Sequence, residues 1–246
     1  MNGERVDIRT QDGTIDGYVF TPGGSGPWPP AVIYMDAFGV RPQLGEMAQR
    51  LASGGYLVVL PNLYYRTGPF APFDREAALA EGPERDRFKR MIQSINADMV
   101  MRDTASIIEW LDAHPSARRG PLGVVGYCMG GGYALAAAGT FPDRVAAAAS
   151  FHGGSLATDK PDSPHTFAGR MRAKVYVGAA EIDPSFPEEQ HERLDRALAD
   201  AGVDYTIETY AGAKHGFAVT GHLVYDRDAS ERHWTTLLEL FRETLH

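Results

Sequence analysis

LGVVGYCMGGGYALAAAG, residues 122–139, joins an apolar β-rich run to a helical run of small residues through Gly126-Tyr127-Cys128-Met129-Gly130. The form G-x-C-x-G between a strand and a helix is the setting of a nucleophile elbow, with sulfur where a serine oxygen is usual. So sharp a turn strains the backbone of its central residue and presses neighbouring chain segments together, which accounts for glycines on either side. It also sets Cys128 at a helix N-terminus, where the dipole and free N–H groups favour a thiolate and stabilise an oxyanion. The bland alternative is a structural cysteine in a Gly-rich turn.

Around this turn, short β-rich runs alternate with helical patterns. The runs are AVIYM (31–35), YLVVLP (56–61), LGVVGY (122–127), AAAASF (146–151), KVYVG (174–178) and YTIETY (205–210). Leu44, Met47 and Leu51 share a helix face before Gly54-Gly55, as do Val100, Thr104, Ile107, Ile108 and Leu111 before Pro115, and Leu194, Ala197, Leu198 and Ala201 before Gly202. These stripes read as packing surface. Strands interleaved with helices imply an α/β fold, a mostly parallel central sheet covered by helices on both faces. At the N-terminus RVDIRT and TIDGYVF alternate polar and apolar residues about Asp12-Gly13, which predicts an antiparallel hairpin. Residues 67–94, rich in charge and broken by Gly and Pro, read as a lid-like excursion from a single domain spanning 1–246.

Composition narrows the function. The 246 residues include 32 acidic and 24 basic side chains, a formal charge of −8 with no basic run, which disfavours nucleic acid as a partner. One cysteine forms no internal disulfide, and MNGERVDIRT has no cationic stretch followed by an apolar run, so a cytoplasmic location is expected. Residues 120–142 are uncharged over much of a bilayer's span but too rich in glycine and alanine to cross one, so no membrane association is expected. The chain has no GxGxxG, P-loop, HExxH or CxxC, so neither cofactor nor metal is expected. A monomer is the default.

A nucleophile needs a base and an orienting acid, in the chain order nucleophile, acid, base for this kind of elbow. Of eight histidines, His215 in Ala213-Lys214-His215-Gly216-Phe217 follows the last strand, where the base belongs. His114, His191, His222, His233 and His246 lie in helical or terminal segments and read as solvated, and His165 sits in a Pro/Ser-rich loop. The acid belongs just after KVYVG, in GAAEIDPSFPEEQ, where Asp183 is preferred and Glu181 is the alternative.

With Cys128, Asp183 and His215 in that order, the chain resembles the dienelactone hydrolase family, the cysteine-nucleophile branch of the α/β-hydrolase fold. The resemblance covers nearly the whole length. It rests on Met35-Asp36-Ala37-Phe38-Gly39, Pro61-Asn62-Leu63-Tyr64, GYCMGG, Phe151-His152-Gly153 and His215-Gly216-Phe217. It implies hydrolysis of an enol-lactone through a thiol acyl-enzyme, dienelactone being opened to maleylacetate in the breakdown of aromatic compounds. By position it implies an oxyanion hole from the backbone N–H groups of Ala37 and Met129. Asp36 stands where the family usually has a glutamate that helps generate the thiolate, and is one methylene shorter. His152 stands where the family often has a substrate-facing tyrosine. Val219 occupies the place of an arginine that holds the dienelactone carboxylate, so Arg66, Arg85, Arg87 or Arg90, in or beside the excursion, are the candidates for that clamp.

Two other readings stand beside this one. The first is a hydrolase of small esters or uncharged lactones, to which the missing arginine points. The second is a non-catalytic binding protein that retains the fold, which the joint presence of nucleophile, acid and base disfavours.

Overall fold

The computed structural model describes residues 3–246, so the first two residues of MNGERVDIRT lie outside it. Eight strands form one sheet: β1 (Glu4–Thr10), β2 (Gly13–Phe20), β3 (Pro30–Tyr34), β4 (Leu57–Pro61), β5 (Leu122–Tyr127), β6 (Val145–Phe151), β7 (Lys174–Ile182) and β8 (Tyr205–Lys214). Their order across the sheet is β1-β2-β4-β3-β5-β6-β7-β8. The expected hairpin is β1 against β2, antiparallel with Thr10 opposite Gly13. β2 also runs antiparallel to β4, and every pairing from β4 to β8 is parallel.

Strands β3, β4 and β5 are buried at every position, as a parallel sheet covered on both faces requires. Side chains of one strand alternate between faces, and β5 shows what covers each. The Gly123 side faces Phe241 of α7 (Arg227–Leu245), whereas the Gly126 side faces Gly130 of α5 (Met129–Thr140). Helix α1 (Pro42–Ser53) is tied to α7 by the Arg50–Glu231 ion pair, and α4 (Ala97–Ala113) packs on α5. α6 (Glu188–Asp200) completes the helical layers.

Caps explain several boundaries. Asn96 accepts from the Met99 N–H at the start of α4, and Asp226 accepts from the Ala229 N–H at the start of α7. α1 begins with Pro42 and stops at Gly54. The excursion holds two helices, α2 (Arg75–Leu79) and α3 (Pro83–Gln93). Ala78 and Phe88 from it pack against Ala37, which brings the excursion over the C-terminal end of β3. No helix among the described residues is long and apolar enough to cross a membrane.

The sheet order reverses at β3, which has β4 on one side and β5 on the other. A crevice opens at such a switch point outside the carboxyl ends of the strands, and β3 and β5 deliver Asp36 and Cys128 to it. The strand-to-helix turn above β5 allows no side chain at Gly126, where a Cβ would lie 1.9 Å from the Gly130 carbonyl oxygen. Gly126→Ala is therefore expected to cost about 3 kcal/mol or more, since backbone on both sides would have to part. A urea-denaturation midpoint equal to wild type would contradict this packing.

Candidate active site

Cys128 leaves β5 and enters α5 at φ 56° and ψ −119°, a left-handed conformation that costs a non-glycine residue about 1–3 kcal/mol. Two backbone bonds hold it there: its N–H donates to the Phe151 carbonyl at 3.2 Å, and its carbonyl accepts from the Gly131 N–H at 3.0 Å. The thiol is partly exposed at the mouth of the crevice. Met129 opens α5, whose first-turn N–H groups have no acceptor within the helix. Ala37 follows β3 across the crevice, and the Tyr64 hydroxyl donates to its carbonyl at 2.9 Å, fixing that turn.

His215 comes from the turn after β8, where its backbone N–H donates to the Ile182 carbonyl at 3.3 Å. Its Nδ1 lies 2.6 Å from Asp183 Oδ2. The other carboxylate oxygen of Asp183 accepts from the Ser185 N–H at 2.9 Å and the Ser185 hydroxyl at 2.6 Å. Burial raises the Asp183 pKa, but the bonds from His215 and Ser185 outweigh it and the net shift is downward. Burial likewise opposes charge on His215, yet the interactions with Cys128 and the Asp183 carboxylate prevail and raise it to about 10. At neutral pH His215 is therefore an imidazolium set between the Asp183 carboxylate and Cys128. Glu181, the alternative acid, is exposed and accepts from the Gly212 N–H at 2.7 Å.

A cavity of about 400 Å³ contains Cys128, His215, His152, Asp36 and Ala37 in its lining. His152 follows β6 at φ 39° and is buried, its ring edge-on to those of His215 and Phe217 at 5.3 Å. Neither of its ring nitrogens has a hydrogen-bond partner. Burial and the neighbouring His215 cation push its pKa well down, so the ring is neutral. A larger cavity of about 610 Å³ lies beyond Phe38 and Arg75, away from Cys128.

Asp36 lines the cavity with Cys128, but its partner is Arg41, a residue the sequence reading passed over. The guanidinium donates to both carboxylate oxygens at 2.6 Å, the Phe38 N–H donates to Oδ1 at 3.0 Å, and His222 Nε2 lies 3.8 Å from Oδ2. Burial raises the Asp36 pKa, but His222 and Arg41 together hold it well below the usual carboxylate range.

The arginines named as a carboxylate clamp require correction, since neither Arg66 nor Arg87 reaches this cavity. Arg66 forks onto Asp103 at 2.7 and 2.8 Å and also reaches Asp12. Arg87 is bound to Glu84 and to the Ala71 carbonyl, which ties α3 to the chain before α2. The arginine that does reach the cavity is Arg75, whose Nη1 donates to the Gly221 carbonyl. Two histidines read as solvated also differ. His222 is largely covered beside Arg41, and His233 is fully buried in α7, 3.0 Å from the Tyr127 hydroxyl and 2.6 Å from the Ser230 carbonyl. His233 lies on the stripe Trp234, Leu237, Leu240 and Phe241, a helical period that marks it as core. No comparable period marks Arg41, Arg75 or His222, which lie in or beside irregular segments.

The family model for the dienelactone hydrolase family matches residues 15–245. The chain belongs to that family. A Synechocystis sp. protein assigned as a carboxymethylenebutenolidase is 28% identical over 243 residues, covering 98% of this chain and 96% of the relative. A Klebsiella pneumoniae protein assigned as a dienelactone hydrolase has a solved structure with TM-score 0.86 and 23% identity, covering 98% of each chain. A dienelactone hydrolase-like promiscuous phosphotriesterase from metagenomic libraries superposes with TM-score 0.81 at 24% identity, covering 100% of this chain and 99% of that one. Family and fold together make the chain a hydrolase acting on ester or lactone bonds.

Three outcomes are expected from this geometry. Imidazole NMR of the wild type should show His215 titrating near pH 10, and Cys128→Ala should lower that midpoint; a wild-type midpoint near 6.5 would contradict the ion-pair arrangement. Because the folded pKa is raised, the stability it contributes is fully present below about pH 6.5 and is lost as pH rises through about 10. Arg66→Ala should cost about 3–5 kcal/mol in denaturation, because it strands the buried Asp103 carboxylate, without raising KM for any ester.

Proposed function

We propose that the protein hydrolyses carboxylic esters and lactones through a cysteine acyl-enzyme, with Cys128 as nucleophile, His215 as proton carrier and Asp183 as the acid that orients it. The observation that carries this reading is the 2.6 Å bond between Asp183 and His215, made beside a thiol held in a left-handed turn at the start of α5.

The thiolate sulfur of Cys128 attacks the carbonyl carbon and forms a C–S bond, while the carbonyl π pair moves onto oxygen. The N–H groups of Ala37 and Met129 receive that oxyanion, in a site where oriented dipoles act with little competing water. Collapse breaks the C–O bond, and the departing alkoxide or enolate takes a proton from the His215 imidazolium. His215 then accepts a proton from water as it attacks the thioester. The acid is released and the thiolate and imidazolium are restored. Asp183 remains ionised throughout and supports the charge on His215. Asp36, paired with Arg41, is half of a neutral ion pair at the side of the cavity and takes no proton in this cycle.

Dienelactone, the substrate the family resemblance names, fits this chemistry because its enol-lactone is a cyclic ester with a good leaving group. Uncharged esters or lactones are favoured by a second observation. Val219, at the position of the family's carboxylate-binding arginine, is fully buried in the apolar core, and Arg66 and Arg87 are committed elsewhere.

The decisive test is to mix the protein with p-nitrophenyl acetate, quench in acid, and measure the intact mass. One added acetyl group on the wild type, located at Cys128 and absent from Cys128→Ala, is the expected result. An acetyl group elsewhere, or undiminished turnover by Cys128→Ala, would overturn the reading. Asp183→Asn is expected to lower kcat/KM by about 10⁴-fold.

A further inference from the structure

Three large hydrophobic side chains are exposed among the described residues, and two of them, Leu79 at 65% and Leu223 at 89%, line the cavity that contains Cys128. They come from segments far apart in the chain: the end of α2 and the stretch that follows His215. The bond from Arg75 to the Gly221 carbonyl holds those segments together. Below them the wall continues with Phe88 and Ile92 of α3 and with Val224, and Phe88 stacks on Phe38 with ring centroids 4.7 Å apart. Exposed apolar side chains that meet at one opening mark a surface built to be covered. The volume of about 400 Å³ lies within the range for sites that enclose drug-sized molecules, roughly 300–1,000 Å³.

The charge in this cavity argues in the same direction. Its lining includes the Asp36 carboxylate, neutralised by Arg41, the Glu76 carboxylate, the guanidinium of Arg75, which donates to the Gly221 carbonyl, and the imidazolium of His215, which Asp183 engages. The next cation, Arg41, gives two donors to Asp36 and a third bond to the Gly39 carbonyl. A substrate carboxylate would therefore meet Glu76, while the two cations of the lining, Arg75 and His215, each already hold a partner within the protein.

We infer that the cavity selects an uncharged ester or lactone carrying an apolar substituent of several carbons, which lies against Phe88, Ile92 and Val224 and reaches the opening at Leu79 and Leu223. The inference rests on the acyl-enzyme reading above and names its substrate class.

The test uses the full chain and two series of esters. One varies the acyl group from acetate to octanoate with a p-nitrophenyl leaving group; the other varies the alcohol of alkyl acetates. Each methylene that enters the cavity is expected to raise kcat/KM by about fourfold until the opening is reached, mainly through a lower KM. A net gain of at least about tenfold across one of the series supports the inference. In Leu79→Ser/Leu223→Ser, whose changes lie at exposed positions, the ratio of kcat/KM for long over short substrate should fall. The charge argument is read from p-nitrophenyl butyrate against mono-p-nitrophenyl succinate, similar in length but with a terminal carboxylate, and the neutral ester should be preferred by about tenfold or more.

Turnover that depends on Cys128 but is flat or falling with length in both series, or that favours the succinate, overturns the inference and leaves the acyl-enzyme reading standing. No Cys128-dependent turnover of any ester overturns that reading, and the inference with it.

Discussion

The left-handed backbone at Cys128 is the constraint on which the site depends. A non-glycine residue at φ 56° is unfavourable by itself, and it persists because β5, β6 and α5 fix the residues on both sides. Gly126 and Gly130 let strand and helix approach to a distance that no Cβ would permit, and Gly130 in turn lies against the Tyr34 carbonyl at the end of β3. Sheet, turn and helix are therefore one packed unit. A thiol on this unit faces the crevice at the point where the sheet order reverses, so the topology that buries β3 and β5 also determines where the proposed nucleophile stands.

Two carboxylates, both largely buried, then divide the electrostatic work. Asp183 accepts from His215 and Ser185, and its charge favours an imidazolium beside the thiol. Asp36 is neutralised by Arg41 and flanked by His222. A buried carboxylate without such partners would be protonated rather than charged, so each anion requires its own cation. In this arrangement Asp36 is too weak a base, and too fully engaged, to take the thiol proton directly. In the proposed cycle the base is His215, while Asp36 and Arg41 form a compact neutral pair at the side of the cavity.

The parts of this arrangement legible in the sequence are those with a repeating or covalently local cause. Strand runs, helical stripes and the G-x-C-x-G turn depend on near neighbours, so the parallel sheet, the hairpin and the places of Cys128, Asp183 and His215 could be read from spacing and chain order. The choice between Asp183 and Glu181 needed three dimensions: the backbone directs one acid inward to His215 and leaves the other exposed on Gly212. The arginines were harder still. Arg66 and Arg87 look like clamps because they are cationic and lie in or beside the excursion, yet Asp103 and Glu84 claim them. Arg41 and Arg75 carry no periodic signal, and their roles arise from contacts with Asp36 and with Gly221, the latter 146 residues distant.

The same contrast bears on how specificity is built. An arginine at position 219 would place a charge in a region that this protein keeps wholly apolar, and Val219 instead packs within the core. Removing such a cation takes away anion recognition, but it also removes the need to desolvate a charge whenever no substrate is bound. Leu79, Phe88 and Ile92 from the excursion, with Leu223 and Val224 from the loop after His215, then supply contact area in place of charge. Apolar contact discriminates weakly for each methylene but accumulates along a chain, whereas a fixed arginine discriminates sharply for one carboxylate. With the reacting groups on rigid strand ends and the apolar wall on the excursion and one loop, the range of esters accepted can change through the wall alone while the geometry around Cys128 is retained.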